Sequence, residues 1–222
     1  MNIKGYAEED RAAGVIMGRE IHTVSRRAFV QSLGAAGIGS AFFSSMVTQP
    51  ARAASTYVDD LPAERLISMY RDMVKIRLWE TKIKDLILQG GFRGVAHLYV
   101  GEEAVAVGVC NALRKDDYIA STHRGHGHLI AKGGDLNRML AEITHKATGY
   151  CKGYGGSLHI TDMSLGILGM NGIVGSSHLL GAGAAYGIKV KGTDQVVVSF
   201  GGDGSIQGSF FTSAANSAGS SR

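Results

Sequence analysis

The strongest constraint on the fold is the alternation of helical segments with short apolar runs between residues 61 and 200. Within the segment 61–91, apolar residues recur at spacings of two to four, which predicts one long amphipathic helix between Pro62 and Gly90. The segment GEEAVAVGVCNAL is expected to be helical from Glu102. DLNRMLAEITHKATG is expected to form another helix of about three to four turns.

Two apolar runs, DYIAS and QVVVSF, are typical of buried strands, and GAGAAYGIKV is typical of a helix packed closely on its neighbours. Helices that alternate with short strands predict an α/β fold with a mainly parallel sheet flanked by helices.

Composition limits the classes of protein to which the chain can belong. With 45% hydrophobic and 19% charged residues among 222, it has the composition of a globular domain with a core. The net charge of +4 is small and aromatic residues do not alternate with basic clusters, so no nucleic-acid partner is expected. Cys110 and Cys151 lack CxxC spacing, which favours small buried hydrophobes over a disulfide or metal pair.

Residues 1–53 are a different kind of sequence. Paired arginines, Arg26 and Arg27, precede the weakly apolar stretch AFVQSLGAAGIGSAFFSSMV and the motif ARA that ends at Ala53. This order predicts a twin-arginine export signal cleaved near Ala53, and hence a periplasmic location. An uncleaved membrane anchor is one alternative. A chance arginine pair before a buried helix, in a cytoplasmic protein, is another.

An aspartate stands among glycines in GGDGS, residues 201–205, directly after QVVVSF. In open α/β sheets, ligands bind beyond the carboxyl ends of the strands, where glycines let the backbone approach a phosphate. A carboxylate there can bind a hard cation such as magnesium, so Asp203 is a candidate magnesium ligand. For an isolated GDG, an ordinary Asp-Gly turn is the favoured alternative.

The stretch STHRGHGH, residues 121–128, follows the predicted strand DYIAS and concentrates polar side chains between glycines. Arginine offers a fork of donors to phosphate oxygens, and a neighbouring imidazole adds a donor or acts as an acid or base. Anion binding by a loop is therefore the favoured interpretation. A solvated loop and a zinc site made by the three histidines are the alternatives, and Arg124 would repel the zinc ion.

The stretch 153–185 has too many glycines for a helix and too few charges for an exposed linker. Its backbone amides and carbonyls are expected to contact a ligand directly. Within it, His159 is more typical of a structural histidine, and Asn171 of a turn cap.

Five blocks occur in a fixed order along the chain: HLYVGEEAVAVGVC (97–110), STHRGHGH (121–128), GYGGSLHI (153–160), LGMNGIVG (168–175) and GDGS (202–205). Together they resemble the α subunit of the thiamine-diphosphate-dependent E1 component of 2-oxo acid dehydrogenases, of the pyruvate and acetoin dehydrogenase type. The resemblance covers residues 62–218. It implies a thiamine-diphosphate-binding fold over residues 54–222 that is incomplete at the C-terminus.

The resemblance also implies a role for each matching residue. Asp203 matches the magnesium ligand, and the catalytic candidates are His97 and His126, which match histidines near the reacting carbon. Residues that match contacts to the cofactor are His123, Arg124, Gly172, Val174, Gly204 and Ser205. Of these, the first two match diphosphate contacts, and Gly172 and Val174 match backbone contacts to the aminopyrimidine ring.

The function implied by the resemblance is thiamine-diphosphate-dependent oxidative decarboxylation of a small 2-oxo acid, with pyruvate as the default substrate. The acyl group then passes to a lipoyl group on an E2 partner. The implied assembly is an α2β2 heterotetramer in which the E1 β subunit supplies the activating glutamate. Acetoin is the alternative substrate because His123 stands where pyruvate-type relatives often have tyrosine. A catalytically inactive truncated remnant is the other alternative.

The sequence departs from the family pattern after GDGS. Ser213 replaces a common glutamate, and the asparagine that serves as a second magnesium ligand would lie beyond Arg222. A truncated chain that binds magnesium weakly is therefore expected, and the serine-rich ending fits a disrupted reading frame.

Overall fold

The computed structural model describes residues 12–17, 20–25, 61–91 and 94–220. Strands β1 (Ala12–Met17) and β2 (Glu20–Ser25) form an antiparallel pair within the segment predicted to be an export signal. The twin arginines, the apolar stretch and the ARA motif lie outside the described residues, so the signal stays a prediction. The chain divides into two units, Met1–Tyr70 and Arg71–Arg222.

The long amphipathic helix is confirmed as α1 (Ala63–Leu88). Its buried residues in the second unit are Ile76, Glu80 and Ile83, which recur at the spacing of one helical face. The N–H of Gly90, at φ +70°, donates to the carbonyl of Ile87 just beyond the helix. A left-handed residue of this kind is a common helix stop, and glycine adopts it without strain.

The remaining elements of the second unit are helices with three short strands between them. In chain order they are α2 (Glu103–Asn111), β3 (Tyr118–Ala120), α3 (His126–Ala131), α4 (Leu136–Ile143), a 3-10 turn (Met163–Leu165), β4 (Ile167–Gly169), α5 (Ser176–Lys191), β5 (Val197–Ser199), α6 (Asp203–Ile206) and α7 (Ser209–Ser220).

The strands β4, β3 and β5 form a parallel sheet in that order. Ile119 at the centre of β3 pairs with Ile167 on one side and Val198 on the other. An α/β fold with a small parallel sheet is therefore confirmed. Because the strands are parallel, their carboxyl ends meet at one edge, and the segments that follow them come together there.

Four local predictions differ from the structure. The helix α4 has eight residues rather than three to four turns, because Asp135 caps its start by accepting from the N–H of Arg138 at 2.8 Å, and Thr144 ends it. The predicted loop STHRGHGH becomes helical at His126. Within the glycine-rich stretch 153–185, residues 167–169 form a strand that the sequence did not predict. Residues 176–185 of the same stretch belong to α5, although the stretch was expected to have too many glycines for a helix.

Close packing of α5 on β5 depends on Gly181. A Cβ at this position would lie 3.2 Å from the Cβ of Ser199, so a larger residue would push the helix from the sheet. The core beneath includes buried apolar residues from several elements: Tyr99, Ala106, Val107, Ile119, Leu129, Met139, Ile143, Ile160, Ile167 and Ile188.

Cys110 is buried and Cys151 is partly exposed, and both are free thiols. The expectation of a small buried hydrophobe is therefore confirmed for Cys110 alone. Within the ranges 61–91 and 94–220, no helix combines the length and the apolarity needed to cross a membrane.

Candidate functional site

A cavity of about 370 Å³ lies at the carboxyl edge of the parallel sheet. Segments that follow all three strands line it: 121–124 after β3, 171–175 after β4 and 200–205 after β5. The segment before α2 adds Tyr99 and Glu102. The three strands end at small residues, Ala120, Gly169 and Ser199, so little side-chain bulk stands where the chain leaves the sheet edge.

The segment after β5 presents a carboxylate beside open backbone. Asp203 is the first residue of α6 and lines the cavity together with Gly202 and Gly204. A Cβ at either glycine would meet no atom within 4 Å, so the backbone on both sides of the carboxylate is accessible to a ligand. Ser205 also lines the cavity, although it is almost fully buried.

The segment after β3 presents a cation and an imidazole. Arg124 is exposed, and its Nη1 donates to the carbonyl of Leu98 at 2.9 Å, which leaves other guanidinium N–H groups for a ligand. The rings of His123 and His97 contact edge to face, with centroids 5.0 Å apart. Burial, and then the charges of His97 and Arg124, lower the pKa of His123, so a neutral imidazole is favoured at pH 7.

A buried hydrogen-bonded chain forms the floor of the cavity. The His128 ring contacts the hydroxyl of Ser121 through Nδ1 at 2.8 Å and the hydroxyl of Tyr99 through Nε2 at 2.9 Å. The same ring stacks on Phe200 with centroids 3.6 Å apart. Burial lowers the pKa of His128 to about 3, so it is neutral, with one nitrogen donating and the other accepting.

His126 lies in a separate buried cluster. It is 0% exposed, its Nδ1 lies 2.9 Å from Glu80 Oε1, and its Nε2 lies 2.9 Å from the hydroxyl oxygen of Ser157. The Trp79 ring contacts it edge to face. His126 is not among the residues that line the cavity.

Residues 70–220, more than half of the chain, match the family described as dehydrogenase E1 component. The chain belongs to this family. It is 55% identical to the α subunit of acetoin:2,6-dichlorophenolindophenol oxidoreductase from Bacillus subtilis, over 68% of this chain and 45% of that protein. Against the Cupriavidus necator protein of the same name it is 47% identical, over 69% of this chain and 46% of the relative.

A third relative is the pyruvate dehydrogenase E1 component subunit α of Rhizobium meliloti. It is 38% identical over 70% of this chain and 43% of its own length. This E1 chain therefore spans somewhat less than half the length of the relatives that it matches.

Most of the residues predicted to form the E1 site converge on the cavity. Six of them line it: His123, Arg124, Val174, Asp203, Gly204 and Ser205. Gly172 lies between two lining residues, and a Cβ there would touch the His159 ring at 3.4 Å. His97 is in contact with His123, whereas His126 lies in the buried cluster. The individual roles of these residues stay predictions.

The alternative of a zinc site at the three histidines finds no support, because each ring has different partners. His123 contacts His97, His126 contacts Glu80, and His128 contacts Ser121. In the ranges 61–91 and 94–220, no group of three or more His, Cys, Asp or Glu side chains is arranged to hold a metal ion.

Several residues of the site were missed from sequence. Tyr99 and Ser121 looked like ordinary core and strand-end residues, and only the position of Ser121 directly after a strand could have signalled its place at the cavity. Phe200 carried no signal beyond its apolarity, because the ring on which it stacks is that of His128, 72 positions earlier.

Proposed function

We propose that this chain is the cofactor-binding part of an E1 α subunit, with a thiamine-diphosphate-binding domain over residues 54–222. In this proposal, Mg²⁺ and the diphosphate of thiamine diphosphate occupy the cavity beside Asp203. The proposal rests on one observation: the Asp203 carboxylate, after β5, and the Arg124 guanidinium, after the neighbouring strand β3, line the same cavity.

The residues present fit a diphosphate bound through a metal ion. The cavity volume of about 370 Å³ lies within the range of ligand sites, about 300–1,000 Å³. Gly202 and Gly204 leave the backbone beside the carboxylate open, as close approach to phosphate oxygens requires. One carboxylate is a common protein contribution to Mg²⁺, which takes its other ligands from phosphate and water.

Each residue then has a defined task. Asp203 binds the metal ion, with Gly204 and Ser205 beside it. Arg124 compensates the charge of the diphosphate, and His123 donates one hydrogen bond to it. Gly172 and Val174, at the wall after β4, hold the pyrimidine ring by their backbone groups.

When bound, thiamine diphosphate supplies the carbanion chemistry for decarboxylation of a 2-oxo acid. Of the two catalytic candidates, His97 is the nearer to the cavity, because its ring contacts that of His123, which lines the cavity. His126 is the second candidate from sequence. For it to reach a substrate, its hydrogen bonds to Glu80 and Ser157 would have to break.

Pyruvate is the substrate predicted from the sequence, with transfer of the acyl group to a lipoyl group of E2. Acetoin is the second candidate, supported by His123 and by the higher identity to the two acetoin-linked relatives, 55% and 47% against 38% for the pyruvate-linked relative. Reduction of 2,6-dichlorophenolindophenol with each substrate, in the presence of an E1 β subunit, separates them. No turnover with either substrate would favour the inactive remnant.

We also propose that the chain acts in an α2β2 assembly and that twin-arginine export carries it to the periplasm. Fractionation of the tagged chain, compared with the double substitution Arg26→Lys and Arg27→Lys, tests the location. Recovery in the cytoplasm for both proteins would favour the cytoplasmic alternative.

Isothermal titration calorimetry tests the cofactor site directly. The chain is titrated with thiamine diphosphate with and without Mg²⁺, alone and with an E1 β subunit. We expect binding that requires Mg²⁺ and that Asp203→Asn weakens by at least about tenfold, because a charged metal ligand is lost. Equal affinity of the two proteins would contradict the role of Asp203.

A further inference from the structure

A chain of three hydrogen bonds connects the sheet to the turn that carries Asp203. The Ser199 hydroxyl oxygen lies 3.1 Å from His178 Nδ1, and His178 Nε2 lies 3.0 Å from the Ser205 hydroxyl oxygen. The Ser205 hydroxyl in turn donates to the carbonyl of Gly202 at 2.6 Å. The chain therefore runs from β5 through α5 to the segment 201–205.

The direction of these bonds follows from the number of hydrogens available. A serine hydroxyl has one hydrogen, and that of Ser205 is used in the bond to Gly202. His178 Nε2 must therefore donate, and Nδ1 accepts from Ser199, which assigns a neutral imidazole with its hydrogen on Nε2. Burial lowers the pKa of His178, which favours the neutral form at pH 7.

The imidazole occupies a space that Gly201 leaves for it. A Cβ at Gly201 would overlap both the His178 ring and the Ser205 hydroxyl. Phe211 of α7 also contacts the ring edge to face, with centroids 5.2 Å apart. Gly201 and Ser205 line the cavity, whereas His178 does not, so His178 acts on the cavity from behind.

The turn itself has little packing to fix its conformation. α6 contains four residues, Asp203 is exposed, and the positions where Gly202 and Gly204 would carry side chains face open space. Glycine-rich backbone of this kind has many accessible conformations. The bonds made by Ser205, at 2% exposure, are therefore a main restraint on where the carboxylate points.

We propose that His178 is a positioning residue, which orders the 201–205 turn through Ser205 so that Asp203 faces the cavity. The effect on ligand affinity rests on the proposed function of that cavity. The effect on the order of the turn does not, because it follows from hydrogen bonds within the ligand-free chain.

Two readouts on the full chain test the proposal: hydrogen exchange of the Ser205 amide without ligand, and Mg²⁺-dependent affinity for thiamine diphosphate. His178→Leu keeps similar bulk but cannot donate, and should speed exchange and weaken affinity by about three- to tenfold, the equivalent of one net hydrogen bond. His178→Gln can place an amide N–H near the position of Nε2. This variant should therefore show nearly wild-type exchange of the Ser205 amide and nearly wild-type affinity. The double variant Ser205→Ala with His178→Leu should differ little from Ser205→Ala alone, because the bond between His178 and Ser205 is already lost in the single variant.

The outcomes separate this proposal from the function on which it rests. If the wild-type chain with its β subunit does not bind thiamine diphosphate, the proposed function fails, and exchange in the free chain still decides whether His178 orders the turn. If the wild type binds and His178→Leu matches it in exchange and affinity, only the positioning role fails. A lower melting temperature with unchanged exchange and affinity would show a purely structural contact and would also overturn the proposal.

Discussion

Replacement of Glu142 by glutamine should strongly destabilise the chain, because this residue organises the glycine-rich turn after α4. Its side chain is 0% exposed. Oε2 accepts from the backbone N–H groups of Cys151 at 2.6 Å and Gly153 at 2.9 Å. Oε1 accepts from those of Gly155 at 2.7 Å and Gly156 at 3.2 Å. The turn therefore depends on a carboxylate with two acceptor oxygens.

The magnitude follows from the number of bonds that glutamine cannot make. Its amide nitrogen replaces one carboxylate oxygen and cannot accept, so two of the four N–H groups lose their partner, and the other two bond to a neutral oxygen. Hydrogen bonds to charged groups contribute about 1.5–3 kcal/mol each. The turn can open to water and recover part of this loss, so we expect Glu142→Gln to reduce the free energy of unfolding by about 3–5 kcal/mol.

Urea denaturation followed by circular dichroism measures this loss, and a thermal melt should show a fall of about 10–15 °C in the midpoint. Glu64→Gln is the matched control. This carboxylate is exposed in the first turn of α1, where its loss is expected to change stability by less than about 1 kcal/mol. If the free energy of unfolding of Glu142→Gln lies within about 1 kcal/mol of that of the wild type, the carboxylate does not hold the turn.

Three further predictions concern other parts of the second unit. The hydrogen bond from Arg77 lowers the pKa of the Glu103 carboxyl from its usual 4.5 to about 2. The stability that this pair contributes is therefore present above pH 4.5 and is lost as the pH falls toward 2. Arg77→Gln should destabilise the chain in urea near neutral pH and match the wild type below about pH 2. Cys110, whose burial raises its thiol pKa to about 12, should resist iodoacetamide at pH 8 while partly exposed Cys151 reacts, and mass spectrometry that finds equal labelling would contradict this. Gly127→Ala should lower the free energy of unfolding by about 1–3 kcal/mol, because the added Cβ overlaps the Tyr99 ring in the cavity floor. An unchanged midpoint in a thermal melt would show that this ring moves freely.

The elements predicted well from sequence are those whose pattern is local. α1 repeats its apolar residues over seven turns, so its face and its glycine stop are visible without knowledge of the rest of the chain. β4 is different, because its three residues lie in a glycine-rich stretch and become a strand only by pairing with Ile119, about fifty positions earlier. Pairing of that kind is tertiary and leaves little trace in the local sequence.

The candidate site shows the same division. Asp203 and Arg124 were found because each follows an apolar strand, and parallel strands bring such positions together. His126 and His128 were treated as one cluster, but α3 begins at His126, and residues two apart on a helix lie on nearly opposite faces. His128 therefore reaches the cavity, whereas His126 turns toward Glu80 of α1, 46 positions away.

Buried carboxylates were the least predictable feature. Glu80 and Glu142 lie on helices whose charged residues are usually solvated, yet both are 0% exposed. The partner of Glu80 is the distant ring of His126, and the partners of Glu142 are backbone amides of a turn that any sequence provides. Neither partnership has a signature at the acidic residue itself.

The most direct test of the cofactor site is a crystal structure of the chain with an E1 β subunit, thiamine diphosphate and Mg²⁺. We expect electron density for the diphosphate between the Asp203 carboxylate and the Arg124 guanidinium, with the metal ion bound to Asp203. Density for the diphosphate that contacts neither side chain would contradict this expectation.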